Sequence, residues 1–255
     1  MKPNTTLTSF FTKIIVTCFL FFLIASCKKE TETLATISLE ELLPLKKGKF
    51  ITYRLDSLVF FNGGKLFKTN RYQVRHLVDS LAVDNLNRPS WIIRTFLNDS
   101  TASGPWVANG TYQITFVDKK VEVIENNLRV LKLYQPVKEN FTWLGNSFLP
   151  QSPYAGYGTS ISIALWDFIY TSINATEKIG VVNVPGISTV FHIDEVSGIQ
   201  LPAVDLTKYA SREYSIEKYA KNIGLVYREH YVWVCEPSTQ SFGGFGIKMW
   251  MVARN

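Results

Sequence analysis

From Lys49 onward, apolar and polar residues alternate with a period of two, the spacing that sends successive side chains to opposite faces of a β-strand. Ile51, Tyr53 and Leu55 alternate with Thr52, Arg54 and Asp56, and Tyr72 and Val74 alternate with Arg71, Gln73 and Arg75. Between these runs, Asn62-Gly63-Gly64 tolerates the positive φ angles of a tight hairpin. The pattern predicts further strands over residues 91–97, 112–116, 121–124 and 128–134, with turns at 85–89, Asn109-Gly110, 118–120 and 125–127. It resumes over 161–172, 187–196, 212–219, 224–234 and 245–252, where Gly243-Gly244 reads as a hairpin turn before the last strand.

Turn signals recurring at roughly 8–12 residues, without a four-turn amphipathic helix, define an all-β antiparallel chain. A strongly curved sheet or half-barrel over residues 38–255 is expected. The alternative is a two-lobed β-sandwich broken near 136–160, where Gly145, Pro150, Pro153, Gly156 and Gly158 interrupt the strands. A loop of that length in a compact chain is functional or marks a boundary. Ser38 and Glu41 have capping-box spacing, and Pro44 limits the helix they start to one or two turns.

The first 26 residues have a different pattern. Lys2 and Lys13 precede an apolar run from Ile14 to Ile24, too short for the ~20 residues of a spanning helix and of the length of a signal-peptide core. The run ends in Ile24-Ala25-Ser26-Cys27, which resembles the bacterial lipobox. Small side chains there admit a signal peptidase to the backbone, and the Cys27 thiolate accepts diacylglycerol. A multiply acylated Cys27 stays in a bilayer at about 0.8 kcal/mol per buried methylene. Residues 27–37 then read as a polar tether. Lys28 stands where an inner-membrane retention signal has Asp, and Lys29-Glu30 followed by Glu32 partly resembles a surface-export tag, so the outer membrane is the expected location.

Composition changes this picture little. Losing residues 1–26 removes two lysines and lowers the net charge from +6 to +4, without the basic blocks of a nucleic-acid footprint. Of the three cysteines, Cys18 leaves with the leader and Cys27 is acylated. Cys235 remains alone in an apolar run and has no disulfide partner. The three histidines (His76, His192 and His230) are isolated from one another in sequence, and no zinc or nucleophile motif surrounds them. Asp194 and Glu195 are adjacent, so on a strand they face opposite ways. No metal, cofactor or catalytic residue is expected. Asp-Ser pairs at Ser57, Ser80 and Ser100 resemble short O-glycosylation acceptors.

The six tryptophans are spread among strand-forming residues, where packing is their ordinary use. The functional alternative is an aromatic face open to an apolar ligand, with Trp143, Tyr154, Tyr157 and Trp166 as its residues and the loop from Trp143 to Tyr157 as a cover. An envelope hydrolase is the competing class, and would need His192, Asp194 or Glu195 to converge with a serine.

Several stretches resemble an uncharacterised family of Bacteroidota lipoproteins. The opening from Leu43-Pro44 through Gly48 and Tyr53 to Asp56-Ser57 resembles the family's "PLxxGxxxxYxxDS" start, departing at Phe50-Ile51 where relatives carry Trp or Tyr. Trp143-Leu144-Gly145-Asn146 resembles its "WxGN" segment, and Tyr219-Ala220 with Ile223-Gly224-Leu225-Val226 its "YAxxIGLV" strand. The resemblance implies a lipid-anchored β protein of unknown role and carries over no catalytic residue; the leading expectation from the residues is a non-enzymatic envelope protein that binds a ligand or an envelope partner through a β face or the 143–158 loop. Mass spectrometry of the membrane-derived protein should find an acylated Cys27 at the N-terminus; a chain retaining residues 1–26 refutes the processing.

Overall fold

The computed structural model describes residues 37–255. The expected leader, Cys27 and all but the last residue of the tether lie outside them. Helix α1 (Leu39–Leu42) forms through the reciprocal cap that the spacing predicts: Glu41 N donates to Ser38 Oγ at 3.1 Å and Ser38 N donates to Glu41 Oε2 at 2.9 Å. After it come twelve strands: β1 (Phe50–Phe61), β2 (Leu66–Val83), β3 (Pro89–Asp99), β4 (Val107–Val117), β5 (Lys120–Glu125), β6 (Leu128–Tyr134), β7 (Thr142–Leu144), β8 (Asp167–Ile179), β9 (Val182–Ser197), β10 (Ala210–Ala220), β11 (Gly224–Glu236) and β12 (Ser241–Arg254).

They form one antiparallel sheet in the order β6-β5-β4-β3-β2-β1-β12-β11-β10-β9-β8-β7. Every consecutive pair of strands except β6 and β7 is therefore adjacent in the sheet, and the first and last strands pair, with Asp56 opposite Lys248. The two ends of this ladder also meet. Leu131 N donates to Gly145 O at 2.8 Å, the Trp143 indole donates to Leu131 O at 2.8 Å, and the Tyr170 hydroxyl donates to Tyr134 O at 2.9 Å. The sheet is thus a nearly closed barrel, and closure satisfies the exposed strand edges that open sheets must protect. The sandwich alternative is overturned, because residues 136–160 span the seam of a single sheet rather than joining two.

The hairpins at Asn62–Gly64 and Asn126-Asn127 have the positive φ angles expected of them. Two turn expectations fail. Asn109-Gly110 lies inside β4, where a bulge absorbs Asn109 opposite the Thr95/Phe96 step. The actual β3–β4 turn is built on Asp99, which accepts from the amides of Thr101 and Gly104 at 2.7 and 2.9 Å. Gly243-Gly244 lies within β12 instead of before it, and the β8 strand begins at Asp167 rather than near Ile161.

Helix α1 fills one end of the barrel. Leu39 and Leu42 join a buried cluster with Val78, Ile93, Ile114 and Leu133, contributed by four different strands. Asn222 N donates to Glu41 O at 2.6 Å, which ties the helix to the β10–β11 turn. Leu42 is 0% exposed, so Leu42→Ala leaves a cavity that should cost about 2–5 kcal/mol, read as a lower urea midpoint with an unchanged slope.

Candidate functional site

Strand alternation would put Val190, His192 and Asp194 on one face, yet His192 and Asp194 lie on opposite faces. Ile193 pairs with Ser215 and Phe191 with Ile216, leaving His192 as the extra residue of a bulge that reverses the phase of β9. Beyond it, Asp194 lies on the outer face and pairs with Arg212 at 2.5 Å. His192 turns inward, stacked on Phe168 with ring centroids 3.6 Å apart.

Inside the barrel His192 meets residues from β10 and β11. Ser215 Oγ lies 2.7 Å from His192 Nδ1 and 3.0 Å from His230 Nδ1, and His230 Nε2 lies 3.2 Å from the Tyr154 hydroxyl. The result is a relay, Tyr154–His230–Ser215–His192, ending at a His192 Nε2 that is buried without a hydrogen-bond partner. If Tyr154 donates, each link passes the polarity on and His192 Nε2–H is left as a donor; reversal leaves it an acceptor. Burial pushes His192 down to about 3 and His230 well below the usual imidazole value, the latter helped by Arg228 and Lys132. Both rings are therefore neutral near pH 7.

Next to the relay is a buried charge cluster. Glu217 Oε1 accepts from Lys132 Nζ at 2.6 Å and lies 3.3 Å from Arg228 Nε, while Glu217 Oε2 accepts from the Tyr219 hydroxyl at 2.7 Å. Lys132 is on β6 and Glu217 on β10, so the two meet across the interior. Burial alone would raise the Glu217 carboxyl, but Lys132 and Arg228 together overcome it and hold the group below the usual carboxylate range. Arg228 also faces Glu125 of β5 at 3.6 Å.

The relay, together with Lys132, Arg228 and Glu125, lines a cavity of about 390 Å³, at the small end of the roughly 300–1,000 Å³ typical of small-molecule sites. The rest of its wall is mainly apolar or aromatic, with Val130, Ile163, Trp166, Phe168, Phe245 and Ile247, and also carries the buried amide of Asn146. The segment between β7 and β8 covers it. Tyr154 and Tyr157 of that segment pack on Phe245 with centroids 4.9 and 4.6 Å away. The cover rests on Gly243, where a Cβ would come within 1.9 Å of Gly158 O. Exposed Asn126 and Tyr157 mark the mouth.

Of the aromatic residues singled out in the sequence, Tyr154, Tyr157 and Trp166 line this cavity, and Trp166 Nε1 donates to Glu213 at 3.2 Å. Trp143 does not line it. It is buried at the seam, packed against Phe168 and Tyr170. His76 sits elsewhere in the interior, bonded to the Tyr112 hydroxyl at 3.0 Å, with burial lowering it to about 4. Cys235 is buried in a separate cluster with Leu58, Trp233 and Phe242. Ser57 and Ser80 lie in β1 and β2, and Ser100 lies in the β3–β4 turn. Among the described residues no group of His, Cys, Asp and Glu is arranged to hold a metal.

The convergence of His192, Ser215 and His230 went unseen in the sequence. It depends on a bulge that alternation does not reveal. Its chemistry is that of a hydrogen-bond relay. Both imidazoles approach Ser215 through Nδ1, His230 Nε2 meets a phenol rather than a carboxylate, and Ser215 is only 2% exposed. An activated serine needs an accessible hydroxyl and a base oriented by a third group.

A large open groove of about 940 Å³ lies on the outer face, lined by Phe67, Tyr214, Tyr231, Arg212, Asp56 and Asp194 among others. It lacks the enclosure of the inner cavity.

No family model and no curated protein matches the chain. Among solved structures it is similar to a Bacteroides fragilis protein described as exported and of YmcC-like fold, with 11% identity, a TM-score of 0.34, and coverage of 83% of this chain and 98% of that one. A likeness of that degree carries no argument about this chain.

Burial of neutral histidines makes stability depend on pH. Their folded values lie below the unfolded value of about 6.5, so the unfolded state binds more protons and stability falls as pH drops through 6.5 toward 4. His76 and His192 should each cost about 1 kcal/mol between pH 6.5 and 5.5. Urea midpoints measured across that interval should fall, and His192→Gln should flatten the fall; a pH-independent midpoint contradicts the neutral imidazoles.

Proposed function

We propose that the chain is a lipid-anchored envelope protein that holds a small, mostly apolar molecule inside its barrel and performs no chemistry on it. The observation that carries this reading is the covered cavity: a largely apolar and aromatic wall, a few convergent polar groups and an aromatic roof are the features of a small-molecule site. The serine–histidine geometry supports binding over hydrolysis, since Ser215 has two neutral imidazole neighbours and no acid behind either. The alternation of interior and exterior residues supports a barrel surrounded by water. Its outer face carries the cross-strand pairs Arg212–Asp194, Lys218–Glu177 and Lys248–Glu229, and such charges are costly against lipid.

The anchor reading rests on the Ile24-Ala25-Ser26-Cys27 pattern and on the resemblance to Bacteroidota lipoproteins. Acylated Cys27 would moor the barrel at the outer membrane. The residues from Cys27 to Ser38 would let it stand up to about 35–40 Å from the surface. There the cavity would meet molecules leaving or entering the bilayer, or those offered by an envelope partner.

The Cys27→Ser chain, collected without membranes, should yield a bound apolar molecule on organic extraction and mass spectrometry. Trp166 fluorescence should change when that molecule is added back. Repeated recovery of an empty protein that binds no apolar probe would falsify the reading.

A further inference from the structure

Two cations line the cavity, Lys132 and Arg228, and two carboxylates of unequal burial answer them. Lys132 and Arg228 have side chains 13% and 19% exposed, against one well-buried carboxylate, Glu217, at 2%. Glu217 is already fully engaged, with one oxygen on the two cations and the other on the Tyr219 hydroxyl. The second acid near Arg228 is Glu125, which comes from the end of β5 at the cavity mouth. Its side chain is 45% exposed and approaches Arg228 Nη1 only to 3.6 Å. An ion pair that long and that wet contributes little. Arg228 therefore keeps guanidinium donors facing the cavity, held by a carboxylate that can swing into water at small cost. Beside it stands His192, whose Nε2 has no partner.

We propose, building on the binding function above, that the ligand is an amphiphile with a carboxylate head. The carboxylate displaces Glu125 from Arg228 and takes the two-pronged contact a guanidinium offers, and the apolar body lies along Val130, Ile163, Trp166 and Phe245. Glu125 then competes for the same donors and acts as an internal substitute for the ligand's head. Its position at the mouth gives the exchange a route: the head enters as the Glu125 side chain leaves toward Asn126 and solvent. Lys132 remains with Glu217 throughout, so the floor does not rearrange. The arrangement favours carboxylates over neutral molecules of the same shape, because only a charged head offsets the cation that Glu125 releases.

Calorimetric titration of decanoate and of decanol into the Cys27→Ser chain tests this, with Glu125→Gln, Arg228→Lys and Val130→Phe variants beside it. Decanoate should bind about tenfold more tightly than decanol, the difference expected for a charge-assisted contact. Glu125→Gln should tighten decanoate severalfold and leave decanol unchanged, since it removes the competitor without touching the wall. Arg228→Lys should erase most of the preference while retaining decanol binding. Val130→Phe, which narrows the cavity, should weaken both probes. Equal binding of the two probes, or no response to Glu125→Gln, overturns the carboxylate head and leaves the binding cavity standing. If neither probe binds, or if Val130→Phe changes neither, the cavity reading falls and this inference with it.

Discussion

Pairing of the first strand with the last is the constraint on which the rest of the structure depends. Once β1 lies beside β12, the strands curl until β6 and β7 approach, and the inward side chains are enclosed in a volume that α1 closes at one end. In that volume a polar group left without a partner is costly, and most find one. Glu217 illustrates the result: two cations and a phenol converge on its two oxygens. Removing Lys132, the cation in closest contact, would leave the carboxylate poorly compensated at low dielectric, typically at a cost of about 3–5 kcal/mol, far more than an exposed pair contributes. The charged cluster is thus a consequence of closure as much as a binding device. Arg228, with contacts of 3.3 and 3.6 Å to its two carboxylates, is its loosely held member.

The cover and the relay are linked through one residue. Tyr154 supplies an aromatic face to Phe245 and a hydroxyl to His230. One side chain thus joins the roof to the hydrogen-bond chain of the interior. With both imidazoles neutral, the chain of bonds can run in either direction, and the group met at His192 selects it.

Much of the architecture was legible in the residues. The period of two located the strands, Asn-rich turns located most hairpins, and Ser38 with Glu41 marked α1. The failures have local causes. Asn109-Gly110 has hairpin chemistry, but Asp99 gathers the amides that make the turn, and the extra residue at Asn109 becomes a bulge. Closure was not legible, because it depends on strands at opposite ends of the chain and on the Trp143 indole reaching Leu131 O. The aromatic part of the cavity could be read from the long loop that carries Tyr154 and Tyr157. Its polar part could not. Lys132, Glu217 and Arg228 occupy strand positions where an isolated charge reads as solvent-facing, and the bulge at His192 that sends Asp194 to the opposite face leaves no mark in the alternation.

The contact between Gly158 and Gly243 has a consequence of its own. Roof and wall touch there main chain to main chain, and even a single methyl group at 243 would overlap the carbonyl oxygen above it. A position with no functional group thus governs how tightly the chamber seals. Substitution there would act as a wedge in a door jamb, leaving the lock untouched while holding the entrance ajar.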